Sequence, residues 1–281
     1  MAYHQAPPLW FRAAARVRGI ATVAGSLAFV LGLVGTFLFS GSAAPALTLG
    51  GFLLIVVALP LTLVPVGPRM APRSVGAPVA GRWSALNSPA SKVPSHNTHG
   101  HGQTFAIDLV HEPADGARPK FGEGRAFRSP EEFPAFGRDV LAPAEGRVVA
   151  VRDGARDHRS RSTWHAFAYL MLEGMIREVG GARFLLGNSV VLELGDGAYA
   201  AVAHLQRGSA PVAVGQQVRR GQMIGRCGNS GNSSEPHVHF QLMDQPRTLV
   251  AAGLPFVFAD VAIDGSGPAD GVPANGQVMT A

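Results

Sequence analysis

Cysteine and lysine are nearly missing from this chain of 281 residues. The lone Cys227 excludes an intramolecular disulfide framework and any multi-cysteine metal site. Lysine stands only at Lys92 and Lys120, so the net charge of +5 comes almost entirely from arginine. A basic balance admits nucleic acid, anionic polymers or membranes as partners. Helix-turn-helix spacing, paired-cysteine fingers and aromatic-studded basic strands are all absent, so nucleic acid is not an expected partner. HExxH is absent too, which excludes the helical zincin arrangement of metal ligands.

Charge is missing altogether from two stretches, 19–39 and 46–66. Each is about twenty residues long, which at 1.5 Å rise per residue matches a hydrocarbon core of roughly 30 Å. The break between them, Ser40-Gly41-Ser42-Ala43-Ala44-Pro45, is short and turn-forming. The expectation is an N-terminal arm and transmembrane hairpin over 1–67, with Pro60 and Pro65 weakening the second helix. Residues 68–82, rich in Pro, Gly, Ala and Arg, read as a linker. Arg12, Arg16 and Arg18 flank the first span, Arg69, Arg73 and Arg82 follow the second, and the loop between is uncharged. The charge rule then places both termini in the cytoplasm.

From Trp83 the pattern changes. Short β-type runs at 104–110, 146–152, 189–194, 198–205, 223–227 and 237–243 alternate with Gly, Pro and Asn signals. Gly195-Asp196-Gly197 reads as a hairpin turn. The fold class is mainly β, an antiparallel domain over 83–263. One segment breaks the rhythm: Trp164, Phe167, Ala168, Met171, Met175 and Ile176 recur at helical steps before Gly180-Gly181, predicting an inserted amphipathic helix over 163–179. Arg152, Arg156, Arg159 and Arg161 precede it, as a solvated loop or as part of a lid over an anionic polymer. The segment 264–281 is small, polar and Gly/Pro-rich, and reads as a disordered tail.

Chemistry concentrates on a few residues. In Pro236-His237-Val238-His239-Phe240, strand alternation turns His237 and His239 to one face. A loop of Gly, Asn and Ser over 228–234 delivers that strand. Asp108 closes an apolar run, and a carboxylate there needs a compensating partner. Upstream lie His96, His99 and His101 among glycines, and His204 closes another apolar run. Two His and one Asp are an established ligand set for catalytic zinc.

Asp108, the run Val140-Leu141-Ala142-Pro143-Ala144-Glu145-Gly146-Arg147, Ala203-His204-Leu205, the segment 215–225 and Pro236-His237-Val238-His239-Phe240 together resemble the M23 family of metallopeptidases, the lysostaphin- and LytM-type cell-wall enzymes. The resemblance covers roughly 83–245, with the motifs in the family's order. It implies a two-sheet β-fold and a zinc-dependent endopeptidase acting on peptidoglycan stem peptides or cross-bridges. By the same likeness Asp108 and His239 are zinc ligands, His237 is the general base, and His204 stabilises the tetrahedral intermediate. The family's first ligand usually lies four residues before the Asp, where this chain has Thr104. The missing ligand is then expected from the histidine cluster, with His99 favoured over His101. The alternative implied by Thr104 is an inactive regulatory module on the same scaffold. Carrier domains, whose hairpins resemble 215–225, hold their group on a lysine; with none after Lys120, no covalent prosthetic group is expected. Family function favours a domain outside the membrane and the charge rule one inside.

Overall fold

The computed structural model describes residues 9–67, 70–116 and 118–281. Arg69, one of the flanking arginines, lies outside the described residues, as does the side chain of Arg12. A short helix α1 (Leu9–Arg16) leads into α2 (Arg18–Leu38), and α3 (Ala43–Ala58) returns alongside it. Pro60 ends the α-helical bonding, and the chain tightens into a 3₁₀ turn, Pro60–Leu63. The two apolar segments, Arg18–Leu38 and Ala43–Leu63, are each 21 residues long and long enough to cross a membrane. Their backbones approach closely: a Cβ at Gly32 would collide with Thr48, and one at Gly51 with Phe29. Small residues at such crossings replace the hydrophobic drive that lipid cannot supply.

The remainder is mainly β. Fourteen strands run β1 (Arg73–Val75), β2 (Arg82–Leu86), β3 (Ile107–His111), β4 (Asp139–Leu141), β5 (Gly146–Arg152), β6 (Ser189–Glu193), β7 (Tyr199–Ala203), β8 (Gln217–Val218), β9 (Met223–Arg226), β10 (Val238–Met243), β11 (Gly253–Leu254), β12 (Phe256–Ile263), β13 (Ala269–Gly271) and β14 (Val278–Thr280). Twelve form one sheet ordered β1-β12-β14-β2-β3-β10-β7-β6-β5-β8, with β11 and β13 at its margins; β4 and β9 form a second, small sheet. Every pairing is antiparallel except β1 with β12. Gly195, Asp196 and Gly197 all take positive φ in the β6–β7 hairpin, a conformation that explains the two glycines.

Alternation sorts the central strands into two faces. Ile107 and Leu109 of β3, Val238, Phe240 and Leu242 of β10, and Val190, Leu192, Ala200 and Val202 of the β6–β7 hairpin enter the main core. Val140 and Ile224 from the small sheet belong to the same core, so the two sheets enclose it. The opposite face of β10 carries His239, Gln241 and Met243.

Two boundary expectations are corrected. The stretch read as a linker, 68–82, contains β1, and its Val75 and Val79 are buried in the core. The segment read as a disordered tail, 264–281, contains β13 and β14, and Met279 is fully buried between β12 and β2. In both cases a few apolar side chains, diluted by Gly and Pro, gain their order from pairing with strands remote in sequence.

The inserted helix exists as α4 (Trp164–Val179), followed by α5 (Ala182–Leu186). Of the preceding arginines, Arg152, Arg156 and Arg159 are exposed. Arg161 is buried, paired with Glu173 at 2.6 Å and lying over the Phe127 and Tyr169 rings.

Candidate metal centre and catalytic histidines

Three neighbouring strands align the site. The register sets His239 of β10 opposite Asp108 of β3 on one side and opposite Ala203 of β7 on the other. His204 is the next residue after Ala203, so the ends of β3, β10 and β7 converge. His204 takes φ +61, a turn that leaves the β7 ladder.

Asp108 is the hub. Its Oδ1 lies 2.8 Å from His239 Nδ1 and 3.5 Å from His237 Nε2. Its Oδ2 accepts from Asn87 Nδ2 at 2.8 Å and stands 3.1 Å from His96 Nε2. Burial opposes ionisation here, but the facing His96 and His237 and the hydrogen bonds from His237 and His239 outweigh it. The carboxyl is held well below its ordinary range and carries its negative charge.

One ligand atom each from His96, Asp108 and His239 lies within 4.8 Å of the others, the only such group found among the described residues. Two imidazole nitrogens and a carboxylate oxygen, gathered at one buried point, fit a zinc ion by donor chemistry. Outer hydrogen bonds orient the donors. Gln241 Oε1 accepts from His239 Nε2 at 2.9 Å, directing Nδ1 to the centre, and Gln241 Nε2 donates to the His101 carbonyl at 2.8 Å. Asn87 fixes the second carboxylate oxygen.

The histidine of the cluster that reaches Asp108 is therefore His96, and the expectation of His99 is corrected. His99 Nδ1 is bonded to Thr104 Oγ1 at 3.0 Å, and its backbone N–H donates to the Thr62 carbonyl of the apolar hairpin at 2.7 Å. Burial and the nearby Arg18 push its pKa down to about 4. His101 also points elsewhere, with Nε2 at 2.7 Å from Glu178 of α4. The Thr104 hydroxyl bonds His99, and its carbonyl accepts from Ser95 N–H at 3.1 Å.

His204 and His237 stand beside this group with ring centroids 4.7 Å apart. His204 Nδ1 donates to the Ser230 carbonyl at 2.8 Å, and His237 Nδ1 to the Glu235 carbonyl at 2.8 Å. Both rings thus turn Nε2 inward. Their proton affinities diverge. Burial, with repulsion from His237 and His239, lowers that of His204 well below the usual value. Burial also opposes the charged form of His237, but Asp108 and Glu235 overcome it and raise the pKa. Such separation within one pocket is a mark of sites that move protons.

Asn87 and Gln241 are the supporting residues that sequence reasoning did not single out, and His96 was named there only as one of a cluster of three. Gln241 was accessible to it, lying two residues beyond His239 on the same strand face.

Residues 168–250 match Peptidase family M23. The chain is 34% identical over 105 residues to the glycyl-glycine endopeptidase ALE-1 of Staphylococcus capitis, covering 37% of this chain and 28% of that protein. It is 35% identical over 74 residues to the cell division protein DipM of Caulobacter vibrioides, covering 26% and 12%. The aligned part spans less than a third of either relative. Among solved structures, the catalytic domain of lysostaphin from Staphylococcus simulans aligns with TM-score 0.30 at 21% identity, covering 54% of this chain and 77% of that one. The M23 metalloprotease pseudoalterin aligns with TM-score 0.35 at 14% identity, covering 71% and 86%. The likeness to peptidase family M23 thus rests on this part of the chain. The matched stretch holds His204, His237 and His239, while β3 and the loop before it add Asp108 and His96.

Proposed function

We propose that the protein is a membrane-anchored zinc endopeptidase whose metal is held by His96, Asp108 and His239, and whose substrate is a peptidoglycan peptide. The observation that carries this reading is the convergence of those three donors beside two imidazoles that both present Nε2. Zinc, when bound, would supply Lewis-acid polarisation of a carbonyl and lower the pKa of water.

The remaining work falls to the protein's own groups. The carbonyls of Ser230 and Glu235 fix the tautomers of His204 and His237, so that each offers Nε2 for proton exchange. A cation beside Asp108 would offset the carboxylate charge that raises His237, bringing that ring into the range of a general base. His204, buried at the other side of the pair, is placed to face the oxygen of a tetrahedral intermediate. The apolar helices α2 and α3 supply the membrane anchor.

Metal analysis of the full chain and its variants tests the ligand set. Zinc should be stoichiometric in the wild type and in His99→Ala, and lost in His96→Ala, Asp108→Ala and His239→Ala. Retention in His96→Ala with loss in His99→Ala would overturn the assignment. His237→Gln should keep zinc and lose about 10²–10⁴-fold in peptidase rate. A wild type that binds zinc without cleaving peptidoglycan peptides would favour the regulatory module instead. A peptidoglycan substrate also requires the domain on the outer side, against the charge rule. Alkaline phosphatase fused after residue 281 should therefore be active, and an inactive fusion would exclude that substrate while leaving the metal site intact.

A further inference from the structure

Helix α4 turns a broad apolar stripe outward. Its apolar positions Trp164, Ala168, Met171, Leu172, Met175 and Ile176 form one stripe at helical spacing, and every one of them is exposed; Trp164 and Ile176 are 75% and 74% accessible. Toward the protein it turns the buried Ala166 and Leu170 together with half-buried charged residues. Glu173 pairs with the buried Arg161, Arg177 donates to Asn232 Oδ1 at 3.4 Å, and Glu178 pairs with His101 at 2.7 Å. The side chains left outside form a contiguous apolar surface, and such surfaces mark interaction or membrane sites.

The surroundings of α4 identify what covers that surface. It packs beside α2, whose own outward side chains, such as Leu27 and Leu31, are also exposed and apolar. The hairpin enters the domain at the same end. Arg18, at the start of α2, donates to the carbonyls of Leu61 and Val64, and the Thr62 carbonyl accepts from His99 N–H in the histidine loop. That loop in turn is bonded to α4 through His101 and Glu178. A second copy or a protein partner on α4 would leave the adjoining α2 surface bare, whereas one apolar medium covers both.

We propose that α4 lies in the surface of the lipid bilayer, its apolar stripe among the upper acyl chains and its polar face holding the catalytic domain. This rests on the reading of α2 and α3 as membrane spans. An interfacial helix normally turns its polar face to water; here Arg161, Asn232 and His101 take the place of water. Trp164 at the start of the stripe has the amphipathic ring favoured at the headgroup level. The histidine loop is thereby fixed to the membrane at two points, through the hairpin and through α4.

Tryptophan fluorescence of the full chain in phosphatidylcholine vesicles tests this, with brominated lipid as quencher. In a Trp10→Phe background only Trp83, buried in the core, and Trp164 remain. The expected result is strong quenching that is greater with bromine near the headgroups than at the chain ends, and that disappears in Trp164→Phe. Leu27→Trp, placed in a Trp10→Phe, Trp164→Phe background, reports on the span itself. Quenching of that reporter with none at Trp164 would overturn the inference and assign the stripe to a second copy or a protein partner. Absence of quenching at both would overturn the membrane spans together with it.

Discussion

Strand β10 and helix α4 are both rich in apolar residues, yet they dispose of them in opposite ways. All six residues of β10 are buried. Val238, Phe240 and Leu242 fill the core, while the polar residues of the other face are consumed by the site. In α4 only Ala166 and Leu170 are fully buried, Glu173, Arg177 and Glu178 are half-buried, and apart from His165 the exposed positions are apolar. The difference follows from what each element faces. A central strand has protein on both sides, so each polar group must find a built partner, and His239 and Gln241 find Asp108 and the His101 carbonyl. A helix at the margin has protein on one side only, and its outer face takes whatever the outer medium favours. In this molecule ion pairs join the buried Ala166 and Leu170 in attaching the helix, whereas apolar packing holds the sheet.

That contrast makes opposite mutations costly in the two places. The largest effect is expected at Phe240→Ala. The ring is fully buried against Phe256 and Phe258, with centroids at 4.8 and 5.5 Å. Truncation removes apolar burial and leaves a cavity, a loss of about 3–5 kcal/mol in denaturant unfolding of the full chain in micelles. A loss under about 1 kcal/mol would mean that the β10 face is not the core.

Next comes Glu173→Ala. It leaves Arg161 buried without its carboxylate, although the rings of Phe127 and Tyr169 still face the guanidinium. The expected cost is about 2–3 kcal/mol, at or below the lower end for breaking a buried pair because Glu173 itself is partly accessible. Selective proteolysis near 164–186 should accompany it. A neutral outcome would show that α4 is not held by its polar face.

The same contrast explains which features could be read from sequence. His237 and His239 are two apart on a β-type run, so alternation alone put them on one face. Asp108 and His204 each close an apolar strand, and the β3, β10 and β7 register brings exactly those strand ends together. His96 could not be chosen over His99 in that way. Its place depends on a loop closed by the Ser95 N–H donating to the Thr104 carbonyl, and on His99 being claimed by Thr62 in the apolar hairpin. Neither contact leaves a periodic trace. The stripe of α4 was visible as helical spacing, but periodicity states only that a helix has two faces. Which face meets the protein was decided by His101, Arg161 and Asn232, and His101 and Asn232 stand more than fifty residues from their partners on the helix. The strands within 68–82 and 264–281 were missed for a related reason: Val75, Val79 and Met279 are isolated apolar residues whose burial is supplied by β12 and β2.

The smallest expected effect is at Leu172→Ser, and it separates the two regions most sharply. Leu172 sits mid-stripe on α4 and is exposed at 61%. In a core strand, exchanging a leucine for a smaller polar residue removes several kcal/mol, because the lost burial and the cavity add. On α4 the folded state gives Leu172 little protein to bury against, so no cavity forms. Detergent that covers Leu172 in the folded chain covers it in the unfolded chain as well, so the loss of that burial largely cancels between the two. Helix propensity changes by only a few tenths of a kcal/mol. Unfolding of the full chain in micelles should therefore shift by no more than about 0.5 kcal/mol, the range of ordinary surface substitutions. The proposed metal site, reached from α4 through Glu178 rather than Leu172, should bind zinc as well as the unsubstituted chain does. A loss of 2 kcal/mol or more would show that the stripe packs against protein, and would erase the distinction drawn between the helix and the sheet.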